Sequence, residues 1–288
     1  MAEISAKTVK DLRERSGAGM MDCKRALADA AGDLEKATLL LRERGLAKAG
    51  KREGRATSEG VIAIVQAGTA AGMIELGCET DFVARTPDFA NLAQKLAAAV
   101  AKDAKLTTPD ALLDAKVDGQ AASELIKAAI AKLGENVVLK RVARLSVAQG
   151  LVGGYVHAGG KLGVLVSLAA AKTDARLETL AKDVAMHVAA ADPSPVAVTR
   201  AQVPAELVER EREIYRKQAI QEGKPEKVID RIVDGKVAKF LSEVCLVDQA
   251  YVKEPDKTLG ELLREVGDVA VQGFERFRLG QAEEAGGA

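Results

Sequence analysis

The chain has 288 residues, enough for two or three units of ordinary domain size and a substantial core. Its 42 basic and 42 acidic side chains cancel, which excludes a global field drawing it to nucleic acid, an acidic polymer or a membrane surface, so charged recognition must be local. Only 3% of residues are aromatic, too few for the stacking platforms of single-strand nucleic-acid binders, and no direct nucleic-acid contact is expected. Cys23, Cys78 and Cys245 lie far apart without C-x-x-C spacing, which argues for reduced thiols and against a disulfide framework or a zinc site. No apolar run approaches the ~20 residues of a membrane span, and the first residues are polar. A soluble, cytoplasmic protein without membrane contact is the expectation.

Three short helices are predicted over 6–15, 21–30 and 34–44, with turns at Gly17-Ala18-Gly19 and Gly32-Asp33. Ile4, Val9, Leu12, Met20, Leu27, Leu34, Leu39 and Leu41 can share a small core, too small to stand alone, so this unit reads as an attached recognition module. Of Met20 and Met21, one is expected in that core and the other on the surface. The basic, glycine-punctuated stretch around Lys51-Arg52 reads as a linker. Apolar β-branched runs at 61–65 and 73–76, joined through Gly68 to Gly72, predict a hairpin. Gly77-Cys78-Glu79-Thr80-Asp81-Phe82-Val83-Ala84-Arg85 follows, an acid beside a Phe that is either core packing with a helix cap or a wedge offered to a partner. Helices over 87–102, 109–116 and 123–133 and a strand over 137–147 complete the unit.

The pattern then begins again. Residues 61–72 align with 152–163 at an offset of 91, pairing Gly68 with Gly159 and Gln66 with His157, while the helix at 89–94 aligns with 177–182 at an offset of 88. The first copy therefore carries 91 − 88 = 3 extra residues between strand and helix, in the region of Thr80-Asp81-Phe82. A duplicated scaffold does not need them to close its core, which favours display of Phe82. Two long charged helices joined at Glu222-Gly223-Lys224-Pro225 predict a protruding antiparallel coiled-coil arm over about 196–245, either a dimerisation surface or a lever. A helix over 258–266 and an alternating strand over 269–278 close the second unit, and the residues from 281 on read as a disordered tail. The fold class is α+β, with divisions at 1–47 (three helices), 48–56 (linker), 57–147 and 148–280 (related hairpin-plus-helix subdomains, the second bearing the arm).

Catalytic chemistry finds little support. His157 and His187 lack metal-ligand spacing, and structural roles suit them better. The glycine-rich run from Gly153 to Leu162 fails the P-loop spacing, and a hairpin explains it better. Cys78 sits among negative charges that raise a thiol pKa, which disfavours a nucleophile.

Five stretches together resemble the bacterial elongation factor Ts family: Leu12-Arg13-Glu14-Arg15-Ser16-Gly17-Ala18-Gly19-Met20-Met21-Asp22-Cys23-Lys24, Thr80-Asp81-Phe82-Val83-Ala84, Gly134-Glu135-Asn136, Ala185-Met186-His187-Val188-Ala189 and Glu254-Pro255-Asp256-Lys257-Thr258. The resemblance runs from Met1 to about Leu279 and implies a nucleotide exchange factor without covalent chemistry or cofactor. Such a factor binds elongation factor Tu, disturbs its Mg²⁺ and phosphate site and promotes GDP release. The implied architecture is a ubiquitin-associated-like three-helix domain, two related core subdomains and a coiled-coil arm. Carried over by motif, Asp81 and Phe82 are the intruding pair with Thr80 and Val83 framing them, Arg13, Met20, Met21 and Lys24 are N-terminal contacts, and Leu133 and His157 are core contacts. Some members carry a further helix after the closing strand, and no contact from such a helix is expected here. A homodimer or a 2:2 complex through the arm is a further expectation. The competing expectation is a structural or chaperone-like binding protein without effect on nucleotide.

Overall fold

A computed structural model describes residues 4–50, 52 and 54–281, and the side chains of all of these except 46–49. Lys51 and Glu53 of the expected linker, and the expected disordered tail beyond Gln281, lie outside the described residues. The fold is α+β and divides into two compact units, Met1–Ala63 with Ile74–Val142, and Ile64–Met73 with Ala143–Ala288.

Helix α1 (Ala6–Ser16) starts where the Ser5 hydroxyl accepts the Thr8 N–H at 3.1 Å, and it stops at Gly17, whose left-handed φ of 66° lets its N–H reach the Arg13 carbonyl. With α2 (Met20–Asp29) and α3 (Leu34–Gly50) it encloses a core of Val9, Leu12, Cys23, Ala26, Leu27, Ala30 and Ala37. Two residues expected in that core lie outside it, Met20 at 58% exposed and Leu39 at 57%. Met20 opens α2 before the buried stripe begins at Cys23, and Leu39 follows Ala37 by two residues, roughly 200° around the helix, while Leu40 and Leu41 pack inward. Met21 is exposed as well, so both methionines are surface residues rather than one of each. Helix α3 also runs on to Gly50, which makes the first part of the expected linker helical.

Strands β1 (Glu59–Ala67) and β2 (Ala70–Cys78) form the predicted hairpin, and β5 (Val137–Ser146) joins them in a sheet ordered β1-β2-β5. The central strand β2 is buried along its whole length, Glu75 included. A carboxylate there requires a partner, and Arg141 on β5 supplies it, donating its Nε at 2.8 Å and an Nη to the same oxygen. A short turn of helix, α4 (Asp81–Ala84), separates β2 from α5 (Pro87–Lys102). Thr86 caps α5, Pro87 sits at its start, and Phe89, Leu92, Ala93, Leu96, Ala97 and Val100 recur at the 3–4 spacing of a buried face. Helix α6 (Pro109–Asp114), the pair β3 (Lys116–Val117) and β4 (Gln120–Ala121), and α7 (Ala122–Leu133) follow.

The second copy repeats this plan. Strands β6 (Gly150–Val156) and β7 (Leu162–Ala170) form the hairpin, and α8 (Ala175–Ala190) buries Leu177, Leu180, Ala181, Val184, Ala185 and Val188, each 88 residues after its counterpart in α5. Gly153 lies inside β6 rather than in a turn, where a Cβ would come within 2.6 Å of the Ala181 Cβ, so strand and helix approach closely only with glycine there. After the arm, α9 (Ala205–Gln221) and α10 (Glu226–Val244), the strands β8 (Ala250–Tyr251) and β9 (Glu254–Thr258), helix α11 (Leu259–Val266) and β10 (Val269–Arg278) complete the unit. The sheet is antiparallel with order β10-β7-β6, registering Phe274 with Val166 and Tyr155 with Val164.

Candidate functional site

The two copies differ at the junction after the second hairpin strand. In the second it spans 171–174, and Asp174 caps α8 directly. In the first it spans 79–86 and holds α4. Val83 and Ala84 are buried beneath this turn, while Phe82 is 80% exposed. Asp81 beside it pairs with Arg85 at 3.1 Å, an exposed i,i+4 contact worth at most about 0.5 kcal/mol, so its carboxylate is easily released to another partner.

The turn is held from behind. Thr80 caps it, its hydroxyl accepting the Val83 N–H at 3.4 Å. The same hydroxyl donates to Oε1 of Glu135 at 2.6 Å, and the Thr80 N–H donates to Oε2 at 2.9 Å. The neighbouring residues reciprocate, with the Asn136 N–H donating to Oε1 of Glu79 at 2.7 Å and the Asn136 side chain donating to the Arg55 carbonyl at 2.9 Å. That Asn136 N–H, and then the Arg55 guanidinium, hold the Glu79 carboxyl below its ordinary range. The Cys78 thiol donates to the Thr80 carbonyl at 3.1 Å. Burial, and after it the Glu135 carboxylate, push this thiol up to about 11, so it is a neutral donor at physiological pH and not a nucleophile. The direction matches the sequence reading, but desolvation outweighs the nearby acids.

Glu135 stands where it does because Gly134, at a left-handed φ of 82°, ends α7 and turns the chain back. The same helix packs against α3 of the three-helix module. Lys132 pairs with Asp88 in the first turn of α5 at 2.8 Å, and its stem covers Gly17, where a Cβ would come within 2.7 Å of the Lys132 Cε. A cavity of about 320 Å³ between α2, α3 and α7 has Gly19, Asp22 and Lys132 in its walls. Half-buried Leu133 thus follows a wall residue, as does exposed Met20, and Arg13, Met21 and Lys24 are exposed on the same three-helix module. Seven of the candidates therefore belong to the first unit's display: an apolar ring, two thioethers, two cations, a carboxylate and a leucine. Thr80 and Val83 face inward and support it.

His157 belongs to the second unit. It is exposed at the end of the β6–β7 hairpin, where its N–H donates to the Leu162 carbonyl at 2.9 Å and its Nδ1 lies 2.9 Å from the Tyr155 hydroxyl. His187, in contrast, is fully buried, with Nδ1 accepting the Val252 N–H at 3.3 Å, which leaves Nε2 to donate to Gln249 Oε1 at 3.0 Å. Among the described residues no group of three or more His, Cys, Asp or Glu could hold a metal ion, and no helix is long and apolar enough to cross a membrane.

Comparison with known proteins gives the display its context. The family model described as elongation factor TS matches residues 79–281. An elongation factor Ts from Clostridium perfringens (strain SM101 / Type A) is 44% identical over 289 residues, covering 98% of this chain and 94% of the relative. One from Clostridium botulinum (strain ATCC 19397 / Type A) is 45% identical over 291 residues with the same coverage. The chain belongs to the elongation factor Ts family. The three-helix module, the paired sheet-and-helix subdomains and the long helical pair are the architecture expected of a member.

Sequence reasoning placed Gly134-Glu135-Asn136 among the family stretches but gave Glu135 no role. Its partner is 55 residues away in sequence, and nothing local in the motif announces that contact. Glu79, Asn136 and Arg55 were missed for the same reason.

Proposed function

We propose that the 80–83 turn is the working part of a guanine nucleotide exchange factor for elongation factor Tu. Membership of the elongation factor Ts family carries the general role: the chain promotes replacement of GDP by GTP on elongation factor Tu, and it makes or breaks no covalent bond. The observation supporting the turn as wedge is Phe82, a large ring held out in solvent by a turn tied down behind it. Covering that ring in a partner is worth about 1.5–3 kcal/mol, or roughly ten- to hundredfold in affinity.

A G protein grips GDP mainly through phosphates clamped by its P-loop and Mg²⁺. Phe82 brings rigid apolar volume to that site and Asp81 brings a carboxylate that repels phosphate and competes for the cation. Arg13, Met20, Met21 and Lys24 dock the three-helix module, Leu133 extends the apolar contact at the end of α7, and His157 adds a contact from the second unit. In this reading 1–47 is the recognition module, 48–56 its tether, and 57–147 and 148–280 the scaffold, all working in the cytoplasm. Linkage makes the effect mutual, since a factor that weakens GDP is weakened by GDP to the same extent. The arm supplies self-association, as a homodimer or a 2:2 complex.

Stopped-flow release of a fluorescent GDP analogue from elongation factor Tu tests the reading. Wild-type chain should accelerate release, and Asp81→Ala with Phe82→Ala should lose at least about tenfold of that acceleration, about 1.4 kcal/mol, with an unchanged circular dichroism spectrum. Complex formation with no change in nucleotide release would instead favour the structural or chaperone-like alternative.

A further inference from the structure

The exposed turn is too short to hold its own pose. Four residues, Asp81–Ala84, make little more than the first turn of a helix, the stage at which helix formation is least favourable, so its orientation depends on its cap. The cap in turn depends on Glu135. A threonine hydroxyl has one proton, and here Glu135 Oε1 takes it at 2.6 Å, which turns a lone pair toward the Val83 N–H. Glu135 Oε2 takes the Thr80 N–H at 2.9 Å, so one carboxylate fixes both the main chain and the rotamer of the capping residue. Glu135 is itself half-buried and flanked by the left-handed Gly134 and the buried Asn136, so it is a fixed support. In the second copy the junction runs from β7 to the Asp174-capped helix without such a turn.

We propose that Glu135 is a positioning residue for nucleotide exchange: by gripping Thr80 through both carboxylate oxygens it holds Phe82 out in the orientation that enters the partner. This rests on the reading of Phe82 as the wedge. In this role Glu135 acts through Thr80, to which both of its carboxylate oxygens are bonded. It acts on how the wedge is presented and leaves the docking surfaces at Arg13, Met20, Met21 and Lys24 unaltered.

The test follows GDP release from elongation factor Tu across a range of factor concentrations, which separates the limiting release rate from the half-saturating concentration. Glu135→Ala should lower the limiting rate about tenfold while the half-saturating concentration stays within about threefold. Thr80→Val, which removes the grip from the other side, should lower it about threefold. Glu135→Gln should stay within about threefold of wild type, since its amide can still accept the Thr80 N–H and donate to the hydroxyl oxygen. Adding Glu135→Ala to the pair Asp81→Ala with Phe82→Ala should cost nothing beyond that pair alone. A wild-type limiting rate in Glu135→Ala, a further independent loss in the combined variant, or a loss confined to half-saturation would overturn the proposal. Should Glu135→Ala not fold, Thr80→Val decides alone, and a wild-type limiting rate there overturns it equally. Phe82→Ala keeps the two readings apart: if it exchanges like wild type, the wedge itself fails, whereas its loss of exchange beside an unaffected Glu135→Ala defeats only the positioning role.

Discussion

Phe82 and Phe89 stand seven residues apart and sit in opposite environments, one 80% exposed and the other fully buried at the start of α5. Their truncations should therefore separate stability from function. In urea denaturation, Phe82→Ala should stay within about 0.5 kcal/mol of wild type and Phe89→Ala should lose about 3–5 kcal/mol. An equal loss at both would mean that Phe82 is core. His187 gives the second residue-scale expectation. Burial lowers its pKa from the ordinary 6.5, against the opposing hydrogen bond to Gln249, so the unfolded chain takes up the proton more readily than the folded one. Its contribution is thus full above about pH 6.5 and falls as the pH drops below that value. The urea midpoint of wild type should fall between about pH 6.5 and 5, and His187→Gln should flatten that slope relative to wild type.

At the scale of elements, the arm closes its own seam with Ala219, Ile229, Val233 and Val237, and bridges it with Arg212–Asp234 at 2.6 Å and Arg216–Asp230 at 2.5 Å. The apolar side chains that the seam leaves exposed are Ile214, Ile220 and Val228, the last two on either side of the Gly223 turn, and self-association through the arm tip would use Ile220 and Val228. Sedimentation velocity should show concentration-dependent association of wild type that Ile220→Glu removes; association unaffected by this change would move the contact away from the arm tip. Elements with strong local punctuation were legible in advance: Thr86-Pro87 starts α5, and the partly alternating run from Val269 to Arg278 marks β10. The extent of α3, and the faces of Met20 and Leu39, were not. Helical periodicity names a face, but only the neighbouring helices decide how far along the axis that face is covered. The displayed turn was legible for another reason, because the repeat marked it as material that a second copy of the scaffold does without.

For the molecule as a whole, the turn that displays Phe82 is secured by Glu135, which follows Thr80 by 55 positions. During synthesis at about 5–20 residues per second, the turn leads Glu135 out of the ribosome by roughly 3–11 s. For that interval a growing chain has the Phe82 stretch but nothing to brace it. If the braced turn is the wedge, exchange competence waits for Glu135 and for the second unit that follows it, and a truncated product ending before Gly134 would carry the Phe82 stretch without its brace.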